Sequence, residues 1–545
     1  MLQEITGSQA LAVGAIEAGV QFVTGYPGSP STSVVDALLR LASDRLRIEW
    51  AINEKSAFDA ALGASLAGIR SLLCLKSVGL NVAFDSLMVS NLAAGDGGFV
   101  ILVGDDPGGW GSQNEQDSRP LVAAAEVPLL EPTSLAEAPA VMHQAFDLSE
   151  QFCVPVAVRI TRALVLDRTE IHLPHLPAPQ PQAGAFKRQG ERFNVLPIHV
   201  VDLHQRLQAT LGEVQTRFED SPLNGAGEEI TPYGVIAAGH TYQKLAQVLA
   251  QIKHPPLRIL RLATLHPLPE RRIQRFLRGL DSVLVLEETS PYVELQVQAL
   301  AQRVGQRLPI YGRRSGHLPG AGELFAAQIV HALVALQPEW PWPAFEQASR
   351  AMPSRRPLCE DCPYIPTFES LLAVMERHGG RDAFVVTGET GCMVRAQLPP
   401  WELLDVKYGM GSSIGLAAGL ARAGISQRIV ALSGDSALLH SGLGELIDAV
   451  QAGANLLVVV LANEITALSG GQPHPATARD AQGHPRTPVD LSALIKAAGV
   501  ASVHTVDPNN NQATETAFEN ALASNRLAVV IARRACPEWE REAPL

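Results

Sequence analysis

The sequence has little charge, few cysteines and no long apolar run, and each scarcity excludes a class of protein. Charged residues make up 18% of the 545 positions, and the net charge is −12. This balance argues against a nucleic-acid backbone as the main partner, because phosphate binding needs clustered Lys and Arg. The longest apolar runs, such as residues 456–462, are far shorter than the ~20 residues that span a bilayer. We therefore expect neither a nucleic-acid partner nor a membrane span.

Targeting and disulfide signals are scarce as well. Residues 1–19 have no basic region before an apolar stretch, so they do not resemble a signal peptide. The chain has six cysteines, too few over this length for the disulfide framework of a small secreted domain. We expect them to be free, catalytic or metal-binding, and we expect the protein to be cytoplasmic.

Length and composition favour a multidomain enzyme. Hydrophobic residues make up 46% of the chain and there are 45 glycines, which is typical of α/β enzymes with many tight strand-to-helix turns. Two proline-rich stretches, at about 172–197 and 337–358, favour extended linkers. They predict three domains, at residues 1–175, 195–340 and 350–545.

Short apolar segments alternate with amphipathic helical patterns in each block. Such βα alternation predicts parallel sheets. The predicted fold class is therefore α/β, with several doubly wound parallel sheets. The predicted strands are 20–24, 47–51, 71–75 and 99–103 in the first block, 233–238, 257–262 and 282–286 in the second, and 428–433 and 455–462 in the third.

Polar side chains follow two consecutive strands of the third block. Gly434-Asp435-Ser436 ends one strand and Asn463 ends the next, with one helix between them. The carboxyl ends of neighbouring parallel strands share one crevice. A carboxylate and an amide oxygen suit Mg²⁺ when diphosphate oxygens and water fill its other sites. Ordinary turn residues are the alternative, but the glycine-rich segment 409–415 lets the backbone approach a ligand closely and favours the metal site.

This motif resembles the diphosphate-binding motif of thiamine diphosphate enzymes. In those enzymes the Asp, the Asn and a backbone carbonyl two residues after the Asn hold the metal. Here the carbonyl would belong to Ile465. The resemblance implies that the diphosphate of the cofactor binds at this edge.

Glu54 is the candidate for the other half of such a site. It lies just past strand 47–51, at the edge where Tyr26, Lys76 and Asp105 also follow their strands. A carboxylate against N1′ of the aminopyrimidine pushes the ring to its imino tautomer. The alternative is a helix-start glutamate favoured by the helix dipole, and position alone leaves both open.

A series of motifs in matched order closely resembles the large subunit of indolepyruvate:ferredoxin oxidoreductases. The resemblance covers nearly the whole chain and implies a pyrimidine-binding domain, a transketolase C-terminal-like domain and a diphosphate-binding domain. It implies that Glu54 activates the cofactor and that Ser29 lies near the substrate carboxylate. The motifs include residues 25–32, 53–55, 76–81, 105–108, 112–117, 239–241, 267–269 and 469–475. The implied cofactor contacts are Tyr26, Pro27, Gly28, Glu54, Gly409, Gly411, Ser412, Gly434, Asp435, Ser436, Asn463 and Thr466.

Four cysteines suggest an electron path. Cys359 and Cys362 form a Cys-x-x-Cys pair, and Cys392 and Cys536 follow at a distance. Four thiolates can hold a [4Fe–4S] cluster or a structural Zn²⁺, or they can stay unliganded. The arrangement resembles the cluster of 2-oxo acid:ferredoxin oxidoreductases, although Glu360-Asp361 replaces the usual Pro-Gly and Tyr364 the usual His. The added carboxylates would lower the cluster's potential or disfavour it. Cys74 and Cys153 lie in apolar runs and are predicted to be core residues.

The resemblance implies oxidative decarboxylation of a 2-oxo acid, an aryl pyruvate such as indolepyruvate. The acyl group would pass to coenzyme A, and the electrons would pass through the cluster to ferredoxin or a partner subunit. A small beta- or gamma-type partner subunit and an oligomer of dimers are also implied. The family's large subunit usually ends in a ferredoxin-like domain, whereas this sequence stops at Leu545 without one. Two alternatives stay open: a non-oxidative decarboxylase or carboligase without a cluster, and a non-catalytic assembly subunit.

Overall fold

Three mainly parallel sheets, each flanked by helices, carry the fold. The computed structural model describes residues 2–42, 46–172, 183–227, 229–342 and 357–538. By its contacts the chain divides into two compact units: Met1–Glu49 with Glu54–Met352, and Trp50–Asn53 with Pro353–Leu545. The predicted α/β class is confirmed. Among the described helices, none combines the length and the apolar character that a bilayer crossing requires.

The first unit contains a seven-stranded sheet, a five-stranded sheet and a two-stranded antiparallel ribbon. Its strands are β1 (Leu2–Thr6), β2 (Phe22–Gly25), β3 (Arg47–Trp50), β4 (Ser71–Lys76), β5 (Phe99–Asp105), β6 (Leu129–Leu130), β7 (Val156–Thr161), β8 (Arg168–His172), β9 (Gly225–Ala226), β10 (Tyr233–Ala238), β11 (Arg258–Leu262), β12 (Thr264–His266), β13 (Ser282–Leu286) and β14 (Ile310–Tyr311). Its helices are α1 (Gly7–Glu17), α2 (Thr32–Ala42), α3 (Glu54–Leu66), α4 (Ser77–Ser90), α5 (Arg119–Ala124), α6 (Ala138–Phe152), α7 (Arg162–Leu166), α8 (Gly190–Phe193), α9 (Val200–Glu219), α10 (Thr241–Gln251), α11 (Glu270–Leu277), α12 (Tyr292–Arg303) and α13 (Ala326–Leu336).

The two larger sheets of this unit are parallel except at one strand each. The seven-stranded sheet has the order β12-β6-β7-β5-β4-β2-β3, and the five-stranded sheet has the order β14-β13-β10-β11-β9. Strand β12 follows β11 directly in the chain but pairs antiparallel with β6 of the seven-stranded sheet. Strand β9 pairs antiparallel with β11. The middle block therefore contributes a strand to the sheet of the first block.

The second unit is one six-stranded parallel sheet with the order β16-β15-β17-β18-β20-β19. The helical segment after β17 contains one π-helical turn, Leu438–Gly442. Two apolar clusters bury the strands. Its elements are α14 (Tyr364–Arg377), β15 (Phe384–Gly388), β16 (Val406–Lys407), α15 (Ser413–Arg422), β17 (Arg428–Gly434), α16 (Asp435–Ala437), α17 (Leu443–Gln451), β18 (Leu457–Ala462), α18 (Leu491–Ala497), β19 (Ser502–Val506), α19 (Asn511–Ala523) and β20 (Ala528–Arg533).

The predicted proline-rich linkers fall partly outside the described residues. Residues 173–182 of the first stretch and 343–356 of the second are not among those described. The three predicted domain ranges stay a prediction, because the contacts of the chain resolve two units.

Buried ion pairs hold the carboxyl edge of the seven-stranded sheet. Arg159 donates from Nε to Asp105 Oδ2 at 2.6 Å and from a terminal nitrogen to Glu131 at 2.7 Å. All three side chains are at most 3% exposed. The charges of the two carboxylates raise the pKa of Arg159 despite its burial. In a low-dielectric interior such a pair is costly to break, because the remaining charge has no solvent.

Arg159→Met is expected to lower the free energy of unfolding by about 3–5 kcal/mol, since it leaves two carboxylates buried without their cation. Urea denaturation followed by circular dichroism measures this. Arg168→Met is the matched control, because Arg168 pairs with Glu4 on the surface, where both side chains are more than half exposed. Its effect is expected to stay within about 1 kcal/mol. Equal effects of the two substitutions would contradict this account.

Candidate functional site

Glu54 lies at the carboxyl edge of the seven-stranded sheet, as the first residue of α3. Its side chain is 7% exposed and packs against Gly79 in the first turn of α4. A Cβ at Gly79 would lie 2.7 Å from Glu54 Oε1. Gly79 therefore leaves the space that the carboxylate occupies, and a larger residue there would displace it.

The loop after β2 lies at the same edge. Gly28 donates from its backbone N–H to Thr32 Oγ1 at 2.7 Å, and Ser31 Oγ donates to the Gly28 carbonyl at 2.7 Å. Tyr26 is buried, and Ser29 is exposed. These bonds fix the turn that carries the predicted cofactor contacts Tyr26, Pro27 and Gly28. Their role toward a cofactor stays a prediction.

Asp435 and Asn463 follow neighbouring parallel strands in the second unit. Strands β17 and β18 pair in parallel, with Gly434 opposite Leu461. Asp435 is 2% exposed and Asn463 5% exposed. Asp435 Oδ2 accepts the backbone N–H of Glu464 at 2.7 Å, and Asn463 Oδ1 accepts that of Ile465 at 3.4 Å. The expected juxtaposition at one sheet edge is present.

Further predicted residues join this edge. Asp435 Oδ1 accepts the backbone N–H of Ser436 at 2.8 Å, and Ser436 Oγ lies 3.2 Å from Thr466 Oγ1. His474 Nε2 lies 3.3 Å from Asp435 Oδ2. His474 Nδ1 accepts the backbone N–H of Ala476 at 3.2 Å, whereas its buried Nε2 makes no hydrogen bond within the described part of the chain.

The residues at this edge fit a magnesium diphosphate. One buried carboxylate, one amide oxygen and the Ile465 carbonyl are the ligand types that Mg²⁺ takes when phosphate oxygens complete its shell. This set contains a single acidic side chain. Among the described residues, no group of three or more His, Cys, Asp or Glu side chains is arranged to hold a metal ion.

The glycine-rich segment approaches the same strand ends. Gly411 has φ +77°, and a Cβ there would lie 1.9 Å from Ser441 Oγ. Ser412 Oγ donates to the Gly409 carbonyl at 2.7 Å, just before α15. Only glycine fits the space and the backbone conformation at 411.

Sequence reasoning missed Glu389, which directly follows β15. Its side chain is fully buried, and its Oε1 accepts Ser433 Oγ at 2.7 Å and the Gly434 N–H at 3.1 Å. Gly411 also donates its backbone N–H to this carboxyl. Glu389 therefore connects the glycine-rich segment to the end of β17. The available signal was the same as at Asp435, an acid after an apolar strand, but β15 was not among the predicted strands.

Burial raises the pKa of Glu389 to about 8, above the 4.5 of an exposed glutamate. The folded protein therefore binds this proton more tightly than the unfolded chain does. The stability contribution is complete below about pH 4.5 and is lost as the pH rises toward 8. In cofactor-free protein, we compare the free energies of unfolding of Glu389→Gln and wild type. The difference between them is expected to shift by roughly 2–4 kcal/mol in favour of the variant between pH 5 and pH 8. Urea denaturation at both pH values measures this; a pH-independent difference would contradict it.

The four predicted cluster cysteines lie in one neighbourhood. The charges of Cys392 and Cys536 act on the pKa values of both Cys359 and Cys362. Cys359 Sγ donates to Glu538 Oε1 at 3.0 Å, and this bond with burial raises the pKa of Cys359 to about 11. Burial raises the pKa of Cys362 to about 12. These thiols are neighbours, but within the described residues no three of them are arranged to hold a metal ion. A cluster at this place stays a prediction.

The cysteine group adjoins the metal edge. Cys536 donates its backbone N–H to the Asn463 carbonyl at 3.1 Å. Tyr364 Oη donates to the Leu461 carbonyl at 3.4 Å. Burial, and then the charges of Asp435 and the cysteines, raise the pKa of Tyr364. The candidate magnesium ligands and the candidate cluster ligands therefore belong to one end of a single sheet.

The remaining cysteines do not join this group. Cys74 is buried in β4, and burial raises its pKa. Cys153 follows α6 and is only half-buried. The prediction of a core position is therefore confirmed for Cys74 and wrong for Cys153.

Two family models match the parts of the chain that carry these residues. Residues 389–532 match the family "Thiamine pyrophosphate enzyme, C-terminal TPP binding domain". Residues 13–211 match "Pyruvate flavodoxin/ferredoxin oxidoreductase, thiamine diP-bdg". Glu54 lies within the second match, and Asp435 and Asn463 lie within the first.

Curated relatives cover nearly the whole chain. Indolepyruvate oxidoreductase subunit IorA of Pyrococcus abyssi is 34% identical over 98% of this chain and 85% of its own length. The same subunit of Archaeoglobus fulgidus is 33% identical over 98% and 87%. A shorter relative, 2-oxoglutarate synthase subunit KorB of A. fulgidus, is 26% identical over 34% of this chain and 72% of its own. The chain therefore belongs to the IorA family of indolepyruvate oxidoreductase subunits.

Proposed function

We propose that this subunit oxidatively decarboxylates an aryl pyruvate such as indolepyruvate with thiamine diphosphate and Mg²⁺. The acyl group passes to coenzyme A, and the electrons pass through a [4Fe–4S] cluster to ferredoxin or a partner subunit. At the coarser level, thiamine-dependent 2-oxo acid oxidation follows from membership in the family. The aryl substrate, the cluster and the acceptors are the proposal.

One observation supports the proposal most strongly. A buried Asp–Asn pair at the ends of β17 and β18 adjoins four cysteines at the same sheet end. A cluster beside the metal-diphosphate site would accept the electrons that oxidative decarboxylation releases. A non-oxidative enzyme needs no such electron acceptor.

The protein's own groups have separate tasks. When bound, thiamine diphosphate supplies the electron sink that accepts the pair left by departing CO₂. Glu54 would hold the proton at N1′ of the pyrimidine. Asp435, Asn463 and the Ile465 carbonyl would hold the Mg²⁺ on which the diphosphate rests.

The four cysteines would hold the cluster that receives the electrons. Glu360 and Asp361, which replace the usual Pro-Gly, are both exposed. Solvent and salt screen exposed charges. The two carboxylates therefore affect the potential of a cluster less than buried carboxylates would. We propose that a small beta- or gamma-type subunit completes an oligomer of dimers. KorB-type relatives are named as subunits, and the cytoplasmic location stays a prediction.

The proposal is tested on the complex purified anaerobically with its small partner subunit. A panel of 2-oxo acids is assayed with coenzyme A and a viologen dye. Indolepyruvate and phenylpyruvate are expected to be turned over with kcat/KM at least tenfold above pyruvate and 2-oxoglutarate. Equal or higher kcat/KM for the small acids would contradict the aryl specificity. Absence of dye reduction with every acid would contradict the oxidative reaction.

The cluster has its own prediction. Anaerobically purified protein is expected to contain about four irons per chain and to absorb near 400 nm. Cys392→Ala is expected to lose most of this iron, because it removes one of four thiolate ligands. Cys153→Ser, the control, is expected to keep it. Iron near zero in wild type after reconstitution would instead favour the non-oxidative decarboxylase or carboligase.

A further inference from the structure

Lys76 is a cation at the carboxyl edge that carries Glu54. It is the last residue of β4, which lies between β5 and β2 in the seven-stranded sheet. It is also the N-cap of α4, three residues before the Gly79 against which the Glu54 carboxylate packs. Lys76 thus begins α4, and the Glu54 carboxylate packs against the first turn of the same helix.

The stem of Lys76 packs against the loop that carries Ser29. A Cβ at Gly28 would lie 2.8 Å from Lys76 Cβ. Gly28 thereby leaves room for the lysine stem directly beside the turn at Ser29. The ammonium therefore belongs to the same group of residues as the predicted cofactor and substrate contacts.

The Lys76 side chain is half-buried, and its ammonium is incompletely bonded. Its Nζ donates to the Gly111 carbonyl at 3.2 Å, the one hydrogen-bond acceptor it has among the described residues. Burial lowers the pKa of Lys76, and the charge of Asp106 opposes this effect. Asp106 Oδ2 itself accepts the Gly111 N–H at 2.8 Å and Ser112 Oγ at 2.6 Å. An ammonium has three donors, so Lys76 retains donors for an anion.

We propose that Lys76 binds the carboxylate of the 2-oxo acid substrate. This inference rests on the proposed function and adds the residue that recognises the charge of the substrate. A compact, partly desolvated ammonium attracts a carboxylate more strongly than an exposed one does. Ser29, which the family resemblance implies to lie near this carboxylate, would be its neighbour in the same subsite.

An acid and its amide separate this role from a structural one. Indole-3-propionate and indole-3-propionamide have nearly the same shape, but only the first has the charge. Both are titrated by calorimetry into the assembled complex with thiamine diphosphate and Mg²⁺. We expect wild type to prefer the acid. We expect Lys76→Met to lower the affinity for the acid by about tenfold to a hundredfold, which is the range of a charge-assisted hydrogen bond. The affinity for the amide is expected to stay unchanged.

Two variants accompany Lys76→Met. Lys76→Arg keeps the charge and is expected to keep most of the acid preference. Lys253→Met removes an exposed lysine of the same unit and is expected to match wild type. If Lys76→Met does not fold, Lys76→Gln, which keeps length and polarity, replaces it.

The outcomes are distinct. Loss of the acid preference in Lys76→Met, with a rise in KM for aryl pyruvates, supports the proposal. A preserved preference overturns it, as does an equal weakening of acid and amide, which would mean that Lys76 only holds the 106–112 loop. A wild type without preference overturns it too. Wild type that reduces no dye with any 2-oxo acid refutes the proposed function instead, and the calorimetry reports on Lys76 separately.

Discussion

Replacing Glu54 by glutamine is expected to abolish turnover while the protein stays folded. Glutamine has nearly the same shape, so the packing against Gly79 is retained. It cannot hold the proton that the pyrimidine N1′ exchanges, and loss of such a proton-transfer group typically costs 10²–10⁴-fold in rate. The measurement is kcat for indolepyruvate in the assembled complex, with the thermal midpoint as a check on folding.

Glu49→Gln is the matched control for Glu54. Glu49 lies in β3, is about one-third exposed and pairs with Arg47 at the surface. Its substitution is expected to leave kcat within about twofold of wild type, since exposed pairs contribute little. A near-normal rate in Glu54→Gln would show that Glu54 has no role in the mechanism. It would favour the alternative interpretation, a glutamate that only stabilises the start of a helix.

Asp435→Asn is expected to reduce Mg²⁺-dependent binding of thiamine diphosphate by a hundredfold or more. Substitution of groups that only support metal ligands already costs 10–100-fold in affinity, and Asp435 is the one acidic ligand proposed here. The amide oxygen of Asn can still accept the Glu464 N–H, but it has no full charge to attract the metal. The expected loss is seen by calorimetric titration in the presence of Mg²⁺.

Asp448→Asn is the control for this titration. Asp448 lies in α17 of the same unit and pairs with Arg422, and its side chain is 70% exposed. The Asp448→Asn protein is expected to bind the cofactor with the same affinity as wild type. An Asp435→Asn protein that binds the cofactor as tightly as Asp448→Asn would refute the metal assignment.

The sequence predicted those parts of the fold that have a local signal. Strands such as β10 and β13 are uninterrupted apolar segments, and their observed bounds equal the predicted ones. The juxtaposition of Asp435 and Asn463 also followed from the sequence. Two strands joined by one helix pair in parallel, with their carboxyl ends at the same edge.

The rest depends on contacts between distant segments. Strands β6 and β12 have two and three residues, and their antiparallel pairing joins residues far apart in the chain. Segments this short have no sequence pattern that predicts which strand they pair with. Glu389 was missed for a related reason, because β15 before it was not recognised as a strand.

The cysteine group illustrates the limit of spacing arguments. Cys359 and Cys362 are close in sequence, but Cys392 and Cys536 reach them only through the fold. Cys536 follows β20, and the parallel pairing of β20 with β18 brings it to Asn463. Family resemblance supplied the grouping in advance; the strand order of the sheet explains it physically.

The most direct measurement is a calorimetric titration of thiamine diphosphate into the metal-free wild-type protein, with and without Mg²⁺. Our account predicts saturable binding of about one cofactor per chain that requires the metal. Binding of the same strength without Mg²⁺, or no binding in its presence, would contradict it; the second result would identify this chain as an assembly subunit.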